Sequence, residues 1–201
     1  MSTTTRNTNP ILFDLIALTK PRVNFLIIFT AIVGMLLAQD YNLDYQLMFY
    51  ASIGIYLAAS AAAVINHIVD QKIDAIMDRT KSRPLIKGNV TTNHAIYFSL
   101  FISALSTYIL FEYVNTITTI LTLFSIIVYS IIYSVYLKNL TSQNIVIGGI
   151  AGAMPPLLGW TAVTNGVSEL PLLLFLIIFL WTPPHFWALA VYKQEDYSKA
   201  N

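Results

Sequence analysis

The chain has 201 residues, of which 56% are hydrophobic and only 10% are charged, and its formal net charge is +1. Soluble domains average roughly 25% charged residues, so this composition excludes an ordinary soluble fold. Cysteine is absent, which excludes disulfides and thiolate metal sites. No nucleic-acid partner is expected, and the lipid bilayer is the expected surrounding of the chain.

The N-terminal segment is polar. Residues 1–14 are predicted to form a flexible cytoplasmic tail, and residues 15–201 a transmembrane domain. The tail has no apolar core followed by small residues, so no cleavable signal is expected and the first helix serves as its own insertion signal. Pro21 suits the start of that helix. Lys20 and Arg22 are explained as topology anchors, and Arg22 is also a candidate ligand of a phosphate.

Charged residues divide the rest of the chain into six uncharged stretches, each near or above the ~20 residues that a helix needs to cross a bilayer. The stretches are 23–39, 45–69, 88–111, 113–137, 139–168 and 170–192. Segments such as LLLFLIIFLW have no polar stripe at the helical period, unlike the helices of soluble proteins. The predicted fold class is all-α, a polytopic bundle with six transmembrane helices.

The basic residues lie on one side of this topology. All eleven Lys and Arg residues fall in the N-terminal tail, the second-to-third loop, the fourth-to-fifth loop or after the sixth helix. The alternate loops contain acidic residues and no basic ones. The positive-inside rule therefore predicts that both ends lie in the cytoplasm, or on the matrix side in a mitochondrion. The expected location is a bacterial cytoplasmic (inner) membrane.

The second helix ends in a ladder of polar residues: Asn66, Asp70 and Asp74 are four residues apart in NHIVDQKIDAIMD. This spacing turns only about 40° per step on a helix, so the three side chains share a face. Ionisable groups at a membrane boundary are costly to keep near lipid, which makes a functional site the default interpretation. Two carboxylates and an amide suit Mg²⁺, which binds a few carboxylates together with waters and substrate phosphates.

A basic loop follows the ladder. Arg79 and Arg83 are spaced to share a helix face and are candidate bidentate ligands of phosphate oxygens. Lys81 and Lys87 suit the same role or merely enforce topology, and Asp78 is expected to form an ion pair or a cap. Acids that hold a divalent cation, beside bases that hold an anion, predict a metal-bridged phosphate ligand.

The last two helices each contain a proline pair, Pro155-Pro156 and Pro183-Pro184. Each Pro removes a backbone hydrogen bond, so both helices are expected to be broken. Broken helices are tolerated at membrane depth where they line a cavity, which predicts an internal chamber. The spacing of Gly148 and Gly152 is explained by helix packing alone.

Aromatic residues crowd the sixth helix. Tyr192 is expected in the interfacial belt, whereas Trp187 is a candidate lining residue for a flat or isoprenoid ligand. His185 shares this position beside the second proline pair. A lone His in a helix is more often a hydrogen-bonded core residue than a ligand, which leaves the roles of His67 and His185 open.

Three segments together resemble the UbiA superfamily of intramembrane prenyltransferases and, within it, the protoheme IX farnesyltransferase branch. The superfamily motif N-x-x-x-D-x-x-x-D matches the polar ladder, and the segments NIVIGGIAGAMPPLLGW and WTPPHFWALA are specific to the branch. The N-terminal Lys20-Pro21-Arg22-Val23 and the segment Tyr136-Leu137-Lys138 also fit, although Asn139 stands where the branch usually has Arg.

The resemblance implies that a farnesyl group passes from farnesyl diphosphate to a vinyl group of heme b, giving heme O. It implies that Asp70 and Asp74 hold Mg²⁺ on the diphosphate, that Asn66 assists, and that Asp196 belongs to a second acidic motif. Association with proteins of heme A synthesis or oxidase assembly is a further expectation. The candidate substrate-binding residues are Arg22, Arg79, Arg83, Lys138, Lys193, His185 and Trp187.

The resemblance also implies a longer protein. Members have about nine transmembrane helices, and their second acidic motif continues through a Gly-x-Pro-Met segment. This sequence ends at Ala200-Asn201, so about three helices are expected to be missing. The activity of the chain by itself is therefore an open question.

Three alternatives remain. Another UbiA prenyltransferase, acting on an aromatic or quinone precursor, shares the ladder, but residues 144–160 and 181–190 argue against it. An ion-coupled transporter also uses broken helices and membrane acids, but it places its acids near the bilayer midplane. The third alternative is an inactive membrane fragment of such an enzyme.

Overall fold

The computed structural model describes residues 11–38, 44–78, 80–137 and 143–192, and every regular element in these ranges is a helix. The elements in order are α1 Ile11–Leu18, α2 Pro21–Ala38, α3 Tyr45–Val69, α4 Gln71–Asp74, α5 Thr92–Tyr113, α6 Thr116–Ile127 continuing as a π-helix Val128–Leu137, α7 Asn144–Thr164 and α8 Glu169–Tyr192. Six helices in the described ranges are long and apolar enough to span a membrane, which confirms the predicted all-α bundle. They are α2, α3, α5, α6 with its π-helical continuation, α7 and α8.

The short helix α1 begins within the predicted tail. α1 starts at Ile11, so regular structure begins before the expected domain boundary at residue 15. Residues 1–10, the rest of that tail, lie outside the described residues. Leu18 at the end of α1 is fully buried and packs with Val64 of α3 and Val90 of the loop before α5. This contact anchors α1 to the bundle.

Local sequence signals set the helix ends. Pro21 is the first residue of α2, where its missing N–H is not needed. Asp44, Thr91 and Asn115 cap α3, α5 and α6, and their side-chain oxygens accept hydrogen bonds from backbone N–H groups at 2.9, 3.2 and 2.8 Å. Asn165 ends α7 in the left-handed conformation, with φ of 49°.

Two glycines let α2 and α7 cross in backbone contact. A Cβ added to Gly34 would lie 2.2 Å from the carbonyl oxygen of Pro156, and one added to Gly159 would lie 1.9 Å from that of Ala31. Neither position accepts a side chain unless the helices move apart. Small residues at helix contacts are the usual basis of packing in lipid, where the hydrophobic effect gives little drive. Ala31 and Met35 of α2 are fully buried beside the crossing.

A second close contact joins α3 and α5. Gly54 leaves room for the side chain of Leu110, which would lie 2.5 Å from an added Cβ. Beside it, the hydroxyl of Ser106 donates a buried hydrogen bond of 2.7 Å to the carbonyl oxygen of Gly54. These contacts fix α3, the helix that carries the start of the polar ladder.

Both proline pairs lie inside continuous helices, so the prediction that these helices are broken is wrong. α7 continues through Pro155-Pro156, and α8 continues through Pro183-Pro184. Pro155 and Pro156 are buried against neighbouring helices. Such packing and small local adjustments stabilise a helix in lipid despite the lost hydrogen bonds. The broken helices on which the expected chamber depended do not occur in the described residues.

The glycines of α7 pack separately. A Cβ at Gly148 would lie 2.5 Å from the ring of Tyr133 in the π-helix, whereas one at Gly152 would meet nothing within 4 Å. A Cβ at Gly149 would lie 3.2 Å from the side chain of Thr182 in α8. The packing role expected of the Gly148 and Gly152 pair therefore holds for Gly148 alone, within the described residues.

Candidate functional site

The polar ladder lies at the junction of α3 and α4. α3 ends at Val69, and Asp70 is the junction residue before α4. The amide of Asp70 donates to the carbonyl of Asn66 at 3.0 Å, and the amide of Asp74 donates to the carbonyl of Asp70 at 2.8 Å. Because this helical bonding continues across the junction, the three residues stay one turn apart on the same side. Their exposed fractions are 5%, 6% and 5% for Asn66, Asp70 and Asp74.

Asp74 is held by the loop that follows it. The Nη1 atom of Arg83 forms an ion pair with Oδ2 of Asp74, and the hydroxyl of Thr80 donates to the backbone carbonyl of Asp74 at 2.9 Å. Burial favours the neutral acid, but the contacts with His67 and Arg83 outweigh burial and hold the pKa of Asp74 below its usual value. Asp74 is therefore a carboxylate at neutral pH, as a metal ligand must be.

Asn66 belongs to a chain of hydrogen bonds that joins the turn before α2, α3 and the π-helix. The Nζ of Lys20 donates to Oδ1 of Asn66 at 2.9 Å, and Nδ2 of Asn66 donates to the hydroxyl of Ser134 at 3.2 Å. Ser134 in turn donates to the carbonyl oxygen of Tyr129, five residues earlier, at 2.8 Å. A π-helix pairs backbone groups five residues apart, which is the spacing of this contact between Ser134 and Tyr129. Such segments are frequent at functional sites.

Sequence reasoning missed Lys20 and Ser134 as members of this site. The sequence presents Lys20 as a topology anchor within a segment that fits the family, and its position outside the apolar stretch gives no sign of the contact with Asn66. Ser134 lies in an apolar stretch where a single hydroxyl is unremarkable. Only the packing of the helix ends brings both residues to the ladder.

His67 has an unusual environment. It is 5% exposed, and neither ring nitrogen has a hydrogen-bond partner among the described residues. Its Nδ1 lies 3.9 Å from Oδ2 of Asp74, which is beyond hydrogen-bond distance. Buried polar atoms are nearly always paired, so His67 is not the hydrogen-bonded core residue that sequence reasoning favoured. The signal in the sequence is its spacing of seven residues, two helical turns, from Asp74.

Part of the basic loop is exposed. Lys81 forms an exposed ion pair with Asp78, with Nζ to Oδ1 at 2.7 Å, and this contact raises the pKa of Lys81. Asp78 therefore forms the expected ion pair. Lys87 is exposed as well. Of the loop cations described by the structure, Arg83 is the one that contacts the ladder.

The other described candidates have exposed side chains. Arg22 is exposed. His185 and Trp187 lie on the exposed part of α8, where the His185 ring contacts Trp181 at a centroid distance of 5.4 Å. Their substrate-binding roles stay predictions. The remaining candidates lie outside the described residues: Arg79, Lys138, Lys193 and Asp196.

The ladder fits a divalent cation that is shared with a phosphate ligand. The described part of the chain holds no group of three or more His, Asp or Glu side chains that suits a metal ion by itself. It does hold Asp70 and Asp74 as buried acids on successive turns, with the amide oxygen of Asn66 one turn earlier. Mg²⁺ commonly takes one or two carboxylates and completes its shell with waters and phosphate oxygens. The oxygen atoms of Asn66, Asp70 and Asp74 therefore suit Mg²⁺ when a phosphate ligand and waters supply its remaining ligands. These features define a polytopic membrane protein with a buried polar site at one end of its helical bundle.

Comparison with known proteins gives the family. The model of the UbiA prenyltransferase family matches residues 27–201. The protoheme IX farnesyltransferase of Hahella chejuensis is 53% identical over 187 residues, which cover 93% of this chain and 62% of that protein. The protein of the same name from Vesicomyosocius okutanii is 54% identical over 194 residues, covering 94% of this chain and 65% of that protein. The chain thus spans about three fifths of the length of these curated relatives.

Solved structures share the fold. A UbiA homolog from Archaeoglobus fulgidus bound to GPP and Mg²⁺ matches with a TM-score of 0.73 at 19% identity, covering 93% of this chain and 66% of that chain. A digeranylgeranylglyceryl phosphate synthase structure matches with a TM-score of 0.74 at 22% identity, covering 85% of this chain and 59% of that chain. The chain belongs to the UbiA prenyltransferase family. It is accordingly a multi-pass integral membrane protein.

Proposed function

We propose that the chain forms the prenyl-donor half of a Mg²⁺-dependent enzyme that transfers a farnesyl group from farnesyl diphosphate to a vinyl group of heme b. The product is heme O, and diphosphate is released. The observation that carries the proposal is the 53% identity, over 93% of this chain, to the Hahella chejuensis protein named protoheme IX farnesyltransferase. The geometry supports a diphosphate site, because buried acids and cationic side chains meet at one end of the bundle.

In this proposal the ladder binds the leaving group. Asp70 and Asp74 hold Mg²⁺ against the diphosphate with the help of Asn66, and Arg83 donates hydrogen bonds to diphosphate oxygens. The metal supplies positive charge that stabilises the departing diphosphate. Burial of the ladder keeps bulk water from the allylic carbon, so that hydrolysis of the donor is suppressed.

The chemical change is a prenyl transfer completed by water. The allylic C–O bond breaks, and its electron pair leaves with the diphosphate. The π electrons of the vinyl group form the new C–C bond to the farnesyl carbon. The vinyl carbon that becomes electron-poor takes the oxygen of water, and one proton is released. Asp196, outside the described residues, is predicted to serve the same diphosphate from a second acidic motif.

The proposal includes a location. Lys20, Arg83 and the ladder meet at one end of the bundle, and the positive-inside rule assigns that end to the cytoplasm. Both ends of the chain are then cytoplasmic, in the inner membrane of a bacterium. Association with proteins of heme A synthesis or oxidase assembly stays a prediction.

The test is an assay for heme O. Membranes that contain this chain are incubated with heme b, farnesyl diphosphate and Mg²⁺, and the extracted hemes are analysed by mass spectrometry. The Hahella chejuensis protein serves as the positive control. We expect heme O that depends on Mg²⁺ and is lost in Asp70→Asn and Asp74→Asn.

The negative outcomes differ in meaning. Heme O that persists in both variants would remove the ladder from the mechanism. No heme O from this chain, under conditions where the Hahella chejuensis protein makes it, would show that the proposed activity does not belong to these 201 residues alone. In that case Mg²⁺-dependent binding of farnesyl diphosphate tests the donor half by itself, and no binding would overturn it.

A further inference from the structure

The turn between α1 and α2 holds Lys20 in an unusual backbone conformation. Its φ is +53°, in the left-handed region that costs energy for an L residue with a Cβ. Such conformations persist only where the surrounding structure enforces them, and they concentrate at functional sites. The turn is hydrogen-bonded on both sides: the Lys20 amide donates to Ala17, and the Lys20 carbonyl accepts from Val23 and Asn24 at 3.0 and 3.2 Å.

A buried asparagine fixes this turn to α3. Nδ2 of Asn24 donates to the carbonyl oxygen of Thr19 at 2.8 Å and to the hydroxyl of Ser60 at 2.9 Å. Asn24 is 2% exposed and Ser60 is 1% exposed. Ser60 lies on the same helix as Asn66, less than two turns before it. The position of the turn is therefore set relative to the ladder itself.

As a result, the ammonium group of Lys20 lies at Asn66, the first residue of the ladder. Nζ of Lys20 lies 2.9 Å from Oδ1 of Asn66, while Arg83 contacts Asp74 at the last rung. The site thus presents cationic donors at both ends of the ladder. An ammonium has three donor hydrogens, so it is able to bind Asn66 and further oxygens together.

Arg22 provides the contrast. It is two residues along the chain and carries the same charge, yet its side chain is exposed. A cation needed only for topology would serve equally well at either position. The strained turn and its buried clamp distinguish Lys20 from Arg22.

From this juxtaposition we infer that Lys20 binds the diphosphate of the prenyl donor, and that Asn24 is the positioning residue that holds Lys20 in place. The inference rests on the proposed function and extends its diphosphate site to a residue on the turn before α2. Lys20 acts at the Asn66 end of the ladder, and Arg83 acts at the Asp74 end. Asn24 acts only through the turn, because its amide is engaged by Thr19 and Ser60.

The test measures binding of inorganic pyrophosphate with Mg²⁺ to the purified chain in detergent, by calorimetry. Lys20→Asn removes the ammonium but retains a residue that tolerates positive φ. Lys72→Asn removes an exposed cation from the same end of the bundle and is the matched control. We expect Lys20→Asn to weaken binding at least tenfold, Lys72→Asn to change it less than twofold, and Lys20→Arg to restore most of the affinity. Equal affinities of Lys20→Asn and Lys72→Asn would overturn the assignment of Lys20.

Asn24 is tested in combination. Asn24→Ala is expected to weaken pyrophosphate binding threefold or more, and to add no further loss when combined with Lys20→Asn. An additive loss in the double variant would overturn the positioning role of Asn24. Thermal unfolding without ligand is measured for every variant, so that a fold defect is recognised as a loss of the transition itself.

These outcomes are separate from the test of the proposed function. If the chain binds pyrophosphate in a Lys20-dependent way but neither makes heme O nor binds farnesyl diphosphate, the proposed function fails and the anion site stands. If heme O is formed, and the Lys20→Asn variant both forms it and binds pyrophosphate as well as Lys72→Asn does, the inference alone fails.

Discussion

Each end of the bundle has a polar cluster of buried and half-buried residues, and the two clusters differ in kind. The charged end consists of Lys20, Asn66, His67, Asp70, Asp74 and Arg83. The neutral end consists of Asn115, Thr118 and Thr161. Both ends join helices that are distant in sequence, so buried polarity by itself does not mark a functional site.

The neutral end is a closed structural unit. Nδ2 of Asn115 donates to the carbonyls of Thr161 and Ala162 at 2.8 and 3.1 Å, and its Oδ1 accepts from the amide of Thr118 at 2.8 Å. The hydroxyls of Thr118 and Thr161 share a hydrogen bond of 3.0 Å. The amide of Asn115 therefore uses its oxygen to cap α6 and its nitrogen to join α6 to α7.

The charged end retains binding capacity. The two ring nitrogens of His67 have no hydrogen-bond partner in the described part of the chain, and Lys20 holds a strained backbone. Charges are costly to bury, and strain is costly to keep. A cluster that only stabilised the fold would resemble the neutral end. The difference indicates that the charged end is organised for a ligand.

The largest effect is expected at the ladder. Asp74→Asn keeps the shape of the side chain but removes its charge, so we expect a ~100-fold loss of Mg²⁺-dependent pyrophosphate affinity, about 2.8 kcal/mol. Calorimetry of the purified chain measures it. Asp78→Asn is the control, because Asp78 is exposed and pairs with Lys81. Equal affinities of the two variants would remove Asp74 from the site and with it the contrast between the two ends.

The second prediction concerns the crossing of α2 and α7, because this contact sets how the two ends of the bundle are placed relative to each other. Gly159→Ala places a Cβ 1.9 Å from the carbonyl of Ala31, and we expect a loss of about 1–3 kcal/mol in stability. Gly152→Ala is the matched control in the same helix, since an added Cβ there meets nothing within 4 Å. Thermal unfolding in detergent compares the two. A Gly159→Ala variant as stable as Gly152→Ala would show that the helices cross further apart than in this structure.

The neutral end provides the third prediction. Asn115→Ala removes a helix cap and two hydrogen bonds to α7, so we expect a loss of about 1–2 kcal/mol in stability. Pyrophosphate affinity should be unchanged, because the cluster lies at the end of the bundle away from the ladder. Unfolding and calorimetry on the same preparation measure both quantities. A fall in affinity without a fall in stability would reverse the roles assigned to the two ends.

Much of this architecture follows from the sequence because its physical cause is local. Uncharged stretches of spanning length predict the six helices, and a spacing of four predicts the alignment of Asn66, Asp70 and Asp74. Pro21 starts α2 as its missing N–H allows. Each of these patterns depends on residues within a few turns of one another.

The features that sequence reasoning missed or mispredicted depend on packing between distant segments. Lys20 reaches Asn66 only because Asn24 and Ser60 join α2 to α3. The proline pair of α7 was expected to break the helix, yet Pro156 lies in close backbone contact with Gly34 of α2, and the helix continues. Propensity describes an isolated helix, and the neighbouring helices decide the outcome in the bundle.

The smallest effect is expected at the surface of the charged end. This prediction tests how far the anion site extends along the basic loop. Lys81→Ala removes an ion pair with Asp78 in which both side chains are about 60% exposed. Exposed pairs of this kind contribute little, because water and salt screen them. We therefore expect unchanged thermal unfolding and less than a twofold change in pyrophosphate affinity, at low and at high salt alike. A tenfold loss of affinity at low salt would extend the anion site from Arg83 to Lys81, and the basic loop as a whole would then belong to it.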